Sequence, residues 1–481
     1  MSGRKIRDSQ TEKICYTESI QATPARCTNE KKASIMKQNL QDLTSGSLAK
    51  KILLFSLPLI ASNLLQVLFN MADIAVVGQF AGSGALGSVG STTTLVAMFT
   101  GFLIGVSGGI NVLVALHYGA KDKEGLSQTI HSALIVSLII GLVLMLIGMG
   151  FSQSILQLLN TKEELIDGAV LYMQIYCLGM PAMAIYNFGN AVFSAVGDTK
   201  RPLFYLSLAG ILNLVLNLFL VIVCNLDVAG VAIASAASQY VAGGLILIAL
   251  FRSKEDYALR MSKMRLTKSK ALSIIRIGIP AGMQNAIFQI ANLFIQAGVN
   301  SFSATMVSGN SAAANADALV YDVMAACYTA CGSFMGQNYG AGKKDRVLKS
   351  YFISLAYSFG IGLAMGLTLV GFGSTFLGQF TREPAVIEAG MHRLTIMGFS
   401  YCVSAFMDCT IAANRALGKS LMPTVIVIMG SCVFRIIWVN TIFAHFHTIP
   451  SLYLLYVFSW TITAVAEIAY FVSVCREKLR N

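Results

Sequence analysis

Four polar side chains interrupt the apolar segment NLLQVLFNMAD at residues 63–73. They are spaced by three, four and three residues: Asn63, Gln66, Asn70 and Asp73. On an α-helix this spacing places all four on one face. A carboxylate at the centre of a membrane helix costs about 2.5–3.5 kcal/mol on insertion scales. The carboxyl group of Asp73 is therefore interpreted as functional rather than as packing.

A second polar pattern supplies possible partners for that carboxylate. The segment ILNLVLNLF places Asn213 and Asn217 one helical turn apart, and GVAIASAASQ adds Ser235 to the same bundle. Carboxamide oxygens beside a carboxylate suit a small hard cation, whereas burial of the carboxyl group favours a bound proton. Asparagine pairs that only join helices are the alternative. The candidate cation-binding residues are thus Asp73, Asn213, Asn217 and Ser235, with Na⁺ the one metal ion considered.

The second half of the chain does not repeat this acid but keeps a row of amides. Asn285, Gln289, Asn292 and Gln296 form a stripe along one helix face. The residues expected to face a substrate cavity are Gln66, Asn70, Asn292 and Gln296. Three further ionisable residues lie in or near apolar segments, namely Asp322, Asp408 and Arg435. Of these, Arg435 is expected to neutralise Asp408 as a structural ion pair.

The composition is that of a membrane protein. The 481 residues are 55% hydrophobic and 12% charged, with a mean hydropathy of +0.67, and a soluble domain would carry about twice that charged fraction. The net charge of +12 sits in short linkers between apolar blocks. This placement indicates a lipid bilayer, not nucleic acid, as the partner. The ten cysteines contain no CxxC pair, so neither a disulfide framework nor a thiolate metal site is expected.

Apolar blocks of roughly 20 residues predict membrane-spanning helices, and the fold class is all-α and polytopic. Twelve spans are predicted at 52–76, 88–114, 130–150, 168–194, 203–224, 230–251, 274–299, 312–336, 351–372, 390–412, 421–443 and 452–474. Around them we expect a polar N-terminal tail at 1–50, a six-helix bundle at 51–252, a basic linker at 253–273, a second bundle at 274–475 and a tail at 476–481. Of the 35 Lys and Arg residues, 31 fall on one side of this model. The positive-inside rule therefore predicts cytoplasmic termini in a bacterial cell membrane.

The two halves of the sequence repeat each other. SLPLIASNLLQVLFN (56–70) aligns with GIPAGMQNAIFQIAN (278–292) at an offset of 222, and HYGAKDKEGL (117–126) aligns with NYGAGKKDRVL (338–348). Six spans per half is an even number, so the second half enters the membrane from the same side as the first. The repeats are therefore parallel, related by an axis along the membrane normal. A central cavity is expected between the two bundles.

The sequence contains two apparent nucleotide-binding motifs, and each lacks a required feature. The GKS of residues 418–420 follows Ala413, where a phosphate-binding loop requires glycine. The GSGALG of residues 82–87 lies in a short loop between apolar spans, without a preceding strand. We expect no enzymatic activity, no cofactor and no ATPase subunit, so transport would draw on an ion gradient.

These features resemble the multidrug and toxic compound extrusion (MATE) family. The resemblance rests on NMADIAVVGQFAG, PLFYLSLAGILNLVLNLFLVI followed by VAGVAIASAASQ, and GQNYGAGKKDR. It covers residues 45–475 and is nearest to the bacterial DinF and MepA branches. It implies that Asp73 is the first-span acid and Asn213 the fifth-span asparagine. Asn217 stands where Asp is frequent and Ser235 where Thr is frequent, while Asp408 lies near the tenth-span acid of another branch.

The resemblance implies a secondary transporter that exchanges Na⁺ or H⁺ for cationic or amphipathic small molecules by alternating access. Two other functions remain as alternatives. A flippase for lipid-linked saccharides has a related fold, but it would line its cavity with several basic residues, and this sequence offers mainly Arg435. A membrane scaffold without transport activity would have no use for the acid of Asp73.

Overall fold

The computed structural model describes residues 42–159 and 161–479. The N-terminal tail predicted at 1–50 therefore lies mostly outside the described residues. Fifteen α-helices form the described chain: α1 Leu48–Val76, α2 Gly82–Gly119, α3 Lys123–Leu158, α4 Glu163–Leu178, α5 Met180–Ala195, α6 Lys200–Leu218, α7 Asp227–Arg252, α8 Lys268–Asn300, α9 Ala304–Gly340, α10 Lys344–Leu377, α11 Pro384–Ala416, α12 Leu421–Val427, α13 Phe434–Trp438, α14 Ala444–Phe446 and α15 Ile449–Leu479.

The fold is that of a multi-pass membrane protein. Eleven helical segments of the described residues are long and apolar enough to cross a bilayer, and α4 with α5, bent by 47°, makes twelve when counted as one span. Short π-helical stretches continue three of the spans, at Val77–Ala81, Phe219–Val223 and between Ile428 and Phe443. Many large apolar side chains are exposed on the outer surface, as expected of lipid-facing helices. The predicted all-α fold class is confirmed. The exact boundaries of the two bundles stay predictions.

The parallel repeat is visible in one hydrogen bond that occurs twice. Asn63 of α1 donates its side-chain amide to the carbonyl oxygen of Asp322 in α9, at 2.7 Å. Asn285 of α8 donates in the same way to the carbonyl oxygen of Gly101 in α2, at 3.0 Å. The two donors are 222 residues apart and the two acceptors 221. Each half therefore reaches across to the second span of the other half through an equivalent asparagine.

The two halves of the chain approach each other most closely at the end of the bundle where residues 42 and 479 lie. A Cβ atom on Gly119 would lie 2.0 Å from the carbonyl oxygen of Gln337, and one on Gly340 would lie 2.0 Å from that of Leu116. These two contacts are equivalent under the repeat. Only glycine permits backbones to pack at this distance. The ends of α2 and α9 are therefore joined tightly across the pseudo-two-fold axis.

The segment before α1 strengthens this junction. Lys343 donates to the carbonyl oxygen of Thr44 at 2.7 Å, and Arg346 to that of Ser45 at 3.3 Å. Burial alone would raise the pKa of Asp42. Hydrogen bonds from Ser45 and Thr44 outweigh that effect, so the pKa of this carboxyl group lies below its ordinary value. The start of the first half is thus held on α10 of the second.

A glycine ridge on α2 forms the packing surface for α8. A Cβ atom on Gly105 would lie 2.5 Å from the backbone of Ala281, and one on Gly109 would lie 2.7 Å from the backbone nitrogen of Gly278. Backbone atoms cannot move aside as a flexible side chain can. The interface between the halves therefore depends on these two glycines.

Substitution of Gly105 by alanine is expected to separate α2 from α8 and to destabilise the fold by about 1–3 kcal/mol. Gly108→Ala is the matched control, since nothing lies within 4 Å of a Cβ atom there. Thermal unfolding in detergent should show a lower midpoint for Gly105→Ala only. Equal midpoints for both variants would show that the close approach does not stabilise the interface.

Candidate cation site and cavity

The carboxylate of Asp73 is held by side chains from two other helices. Asp73 lies in the last turn of α1, and its Oδ1 accepts a hydrogen bond from the amide of Asn217 in α6. Its Oδ2 accepts a hydrogen bond from the Ser235 hydroxyl of α7, at 3.3 Å. Asn213 donates to Ser235 at 3.4 Å and accepts from Asn217 at 3.3 Å. The four predicted cation-site residues thus form one connected network.

Local sequence explains this meeting. Asn213 and Asn217 are one turn apart on α6, so both point to the same neighbour, and both are buried. One turn earlier stands Gly210, where a Cβ atom would lie 1.8 Å from the ring of Phe69. Phe69 precedes Asp73 by one turn on α1. The missing side chain at Gly210 therefore permits α1 to approach α6 at the level of the carboxylate.

Gly210→Ala is expected to push α1 away from α6 and to raise roughly tenfold, by about 1.4 kcal/mol, the concentration at which a cation half-saturates the Asp73 network. Gly244→Ala on α7 is its matched control, because a Cβ atom there meets nothing within 4 Å. The measurement is cation binding to the purified protein as a function of cation concentration. An unchanged half-saturating concentration in Gly210→Ala would contradict this role for the contact.

The network is chemically suited to one monovalent cation. The Oδ1 atom of Asn217 is buried without a hydrogen-bond partner in the described chain, and the Nδ2 atom of the same amide donates to the Asp73 carboxylate. Such oxygens are the ligands that Na⁺ would use, and the same carboxylate would accept a proton. No group of three or more His, Cys, Asp or Glu residues suited to a metal ion occurs among residues 42–159 and 161–479. One carboxylate with neutral oxygens fits a single positive charge.

A cavity of about 570 Å³ lies in the second half of the chain. Residues of α8, α9, α11, α13 and α15 form most of its wall, and α2 contributes Gly101 and Ile104. The whole amide stripe of α8 lines it: Asn285, Gln289, Asn292 and Gln296. This cavity lies mainly in the second half and is closed on one side by α2 of the first half.

Of the four predicted cavity residues, Asn292 and Gln296 line this cavity. Gln66 and Asn70 are exposed on α1, and their place in a substrate cavity stays a prediction. At the two ends of the α1 stripe, Asn63 contacts the second half and Asp73 contacts α6 and α7. The stripe therefore reaches the second half at one end and the Asp73 network at the other.

The predicted ion pair between Asp408 and Arg435 was wrong. Both residues line the cavity, yet they form no ion pair in the described chain. Arg435 donates instead to Ser459 at 3.2 Å, and its guanidinium packs over the ring of Tyr456 at 4.6 Å. Aromatic packing therefore holds Arg435 in place. Oδ2 of Asp408 has no hydrogen-bond partner, and Asp322 is a third charged residue on the cavity wall.

Sequence reasoning missed a buried ion pair between α9 and α11. Arg393 donates two hydrogen bonds to Oδ2 of Asp317, and Tyr401 donates to Oδ1 of the same carboxylate. Arg393 also donates to Asn310, which accepts a further hydrogen bond from Tyr453 at 2.9 Å. The sequence did contain a signal for this pair, since Asp317 and Arg393 are opposite charges within apolar segments. The pair lies on the cavity wall and is fully hydrogen-bonded.

Comparison with known proteins agrees with this architecture. The family model described as MatE matches the chain twice, at residues 58–219 and 280–440. The chain belongs to the MatE family. The double match falls on the two halves of the repeat, and relatives of the chain include bacterial proteins named as probable multidrug resistance proteins.

Individual MatE relatives differ in what they are named for. The probable multidrug resistance protein YpnP of Bacillus subtilis (strain 168) is 30% identical over 82% of this chain and 88% of its own length. A protein of Shewanella oneidensis named FAD transporter is 26% identical over 72% of this chain and 77% of its own. A solved structure described as the outward-facing conformation of a multidrug resistance MATE family transporter has a TM-score of 0.84 at 21% identity, covering 91% of this chain and 98% of that one. That structure shares the fold.

Proposed function

We propose that this MatE chain exports cationic or amphipathic organic compounds in exchange for Na⁺ or H⁺ that enters at Asp73. The observation that carries the proposal is the network of Asp73 with Asn217 and Ser235. It lies in the first half, whereas the cavity suited to an organic molecule lies in the second. Cation and substrate would therefore occupy separate sites, and coupling would pass through the helices between them. No cofactor or ATPase subunit is required by this scheme.

Helix α1 is the element best placed to couple the two sites. Near its end it supplies the carboxylate of Asp73 to α6 and α7, and in its middle Asn63 donates to α9 of the second half. A cation bound at Asp73 would change how tightly α1 packs against α6. Binding shifts a conformational equilibrium only when the two states differ in affinity for the ligand. We infer that α1 differs in position between the two states.

The available energy is adequate for export. A unit charge that crosses 100 mV gains about 2.3 kcal/mol. One entering cation would then support a substrate gradient of about fiftyfold before any chemical ion gradient is added.

The distribution of basic residues supports cytoplasmic termini. With that orientation, the tight glycine contacts of α2 and α9 lie on the cytoplasmic side, and Asp73 lies towards the outer side. This conformation would then be closed to the cytoplasm, and a cation would reach Asp73 from outside.

Transport by purified protein tests the proposal. Proteoliposomes would be loaded with a cationic fluorescent dye and given a sodium gradient, a proton gradient or neither. We expect accelerated dye movement under one of the two ion gradients. Dye movement that neither gradient accelerates would overturn the proposal and favour the flippase alternative.

A further inference from the structure

The linker that joins the two halves, between α7 and α8, is fastened to the first half. Leu259 is fully buried in the core of that half. The backbone nitrogen of Arg260 donates to Nε2 of His131 in α3 at 3.0 Å, and the backbone nitrogen of Thr267 donates to the Ser132 hydroxyl of the same helix, also at 3.0 Å. The linker therefore follows a fixed path and presents a defined outer surface.

That outer surface is basic and has no acid of its own. The sequence contains no Asp or Glu at 257–316. Lys263, Arg265 and Lys268 are exposed, and none of them forms an ion pair with a described residue. The connection at 119–127, on the same side of the molecule, differs because it balances two lysines with an Asp and a Glu. The linker thus presents positive charge that neighbouring acids do not neutralise.

Large apolar side chains are exposed between these charges. Met261 is 73% exposed and Leu266 is 50% exposed, and both precede the first residue of α8. Leu272, which is 63% exposed, lies one turn after Lys268 on the same face of α8. Exposed apolar groups with basic neighbours are typical of segments that lie at the boundary between lipid headgroups and acyl chains. We call these six residues the linker patch: Met261, Lys263, Arg265, Leu266, Lys268 and Leu272.

We propose that the linker patch binds an anionic phospholipid from the bilayer leaflet at this end of the molecule. The basic side chains of Lys263, Arg265 and Lys268 hold the phosphate, and the acyl chains lie against Leu266 and Leu272. Basic groups beside a membrane span attract anionic headgroups, and their donors suit phosphate oxygens. The headgroup of phosphatidylcholine carries a compensating cation, so the patch selects phosphatidylglycerol over phosphatidylcholine.

This lipid site is separate from the Asp73 network and from the cavity, so it goes beyond the proposed function. The linker is bonded to α3, whereas Leu272 belongs to α8. One bound lipid therefore contacts the connection between the halves and the first helix of the second half together. The positive-inside rule accounts for the number of basic residues here, but it requires neither the absence of acids nor the exposed Met261 and Leu266.

Lipid titration of the full-length protein in a non-ionic detergent tests the proposal, with native mass spectrometry as the measurement. We expect wild-type protein to bind phosphatidylglycerol roughly 10- to 30-fold more tightly than phosphatidylcholine. Lys263→Gln with Arg265→Gln should lower the affinity for phosphatidylglycerol roughly 30-fold, the effect of two basic residues near an anionic surface. Lys344→Gln with Lys349→Gln is the matched control, because both lysines are exposed on the same side of the second half, and it should keep the wild-type affinity.

Three results of this titration would overturn the proposal. They are equal affinities for the two lipids in wild-type protein, an unchanged affinity for phosphatidylglycerol in the linker variant, and an equal loss in the control variant. Binding of an oligouridylate with the same dependence on Lys263 and Arg265 would assign the patch to a soluble polyanion and would also overturn it.

Hydrogen–deuterium exchange of the wild-type protein locates the bound lipid without any substitution. In lipid nanodiscs, backbone amides of residues 260–268 should exchange roughly tenfold more slowly when phosphatidylglycerol replaces part of the phosphatidylcholine, while those of 119–127 should not change. Equal exchange of 260–268 in both nanodiscs would place the lipid elsewhere and contradict the proposal. Neither measurement uses an ion gradient or a transported compound, so the result is independent of cation-coupled export.

Discussion

Asp73→Asn is expected to abolish the acceleration of dye export by an ion gradient. The asparagine has nearly the same shape and can still bond to Asn217 and Ser235, the two groups that hold the carboxylate. It cannot carry the negative charge that a cation or a proton requires. A ligand without preferential binding to one state shifts no equilibrium. The measurement is the ratio of initial dye export rates with and without the gradient, which should fall to about one.

Asp167→Asn is the matched control for this variant. Asp167 is an exposed acid of the same half, on α4, so the same chemical change occurs outside the network. The control should keep the wild-type rate ratio. A wild-type ratio in Asp73→Asn as well would show that the carboxylate is structural, and Asp408 and Asp322 would become the next residues to test.

Arg393→Met is expected to lower the free energy of unfolding by about 3–5 kcal/mol, because the substitution leaves the buried carboxylate of Asp317 without its charged partner. Tyr401 would remain as a donor to that carboxylate, but it supplies no charge. Thermal or denaturant unfolding in detergent measures the loss. Arg382→Met is the matched control, since Arg382 is exposed in a loop, and its stability should equal that of the wild type.

A double variant separates a lost ion pair from lost packing. In Arg393→Met with Asp317→Leu, both charges are absent, and the stability should recover most of the loss, since apolar replacement of a whole buried pair is often neutral. A double variant as unstable as Arg393→Met alone would show that the guanidinium acts mainly by filling space.

Much of the cation site follows from the sequence because helix geometry is local. The four-residue spacing of Asn213 and Asn217 places both on one face of α6, whatever the surroundings. The carboxyl group of Asp73 is unfavourable in lipid, so it must lie against other polar groups. Because short loops keep the spans of one bundle close together, other spans of the same bundle are able to supply those groups. The network with Ser235 fits that reasoning.

Which residues line the cavity could not be fully predicted in this way. Spacing gives the face of a helix but not the helix that covers it, so the spacing of Gln66 and Asn70 does not show which neighbour they face. The same limit explains Asp408 and Arg435. Both are charges in apolar segments of the second half, yet whether they pair depends on the rings of Tyr456 and Phe288, whose placement is set by tertiary packing.

Cation flux driven by a substrate gradient alone is the most direct test of coupling at Asp73. Proteoliposomes would carry a dye gradient with equal Na⁺ and equal pH on both sides, and internal indicators would record Na⁺ and H⁺. Because coupling is reciprocal in its free energy, we expect dye movement to drive one cation in the opposite direction in wild-type protein and none in Asp73→Asn. Opposed cation flux that persists unchanged in Asp73→Asn, or dye movement in wild-type protein without any cation flux, would contradict it.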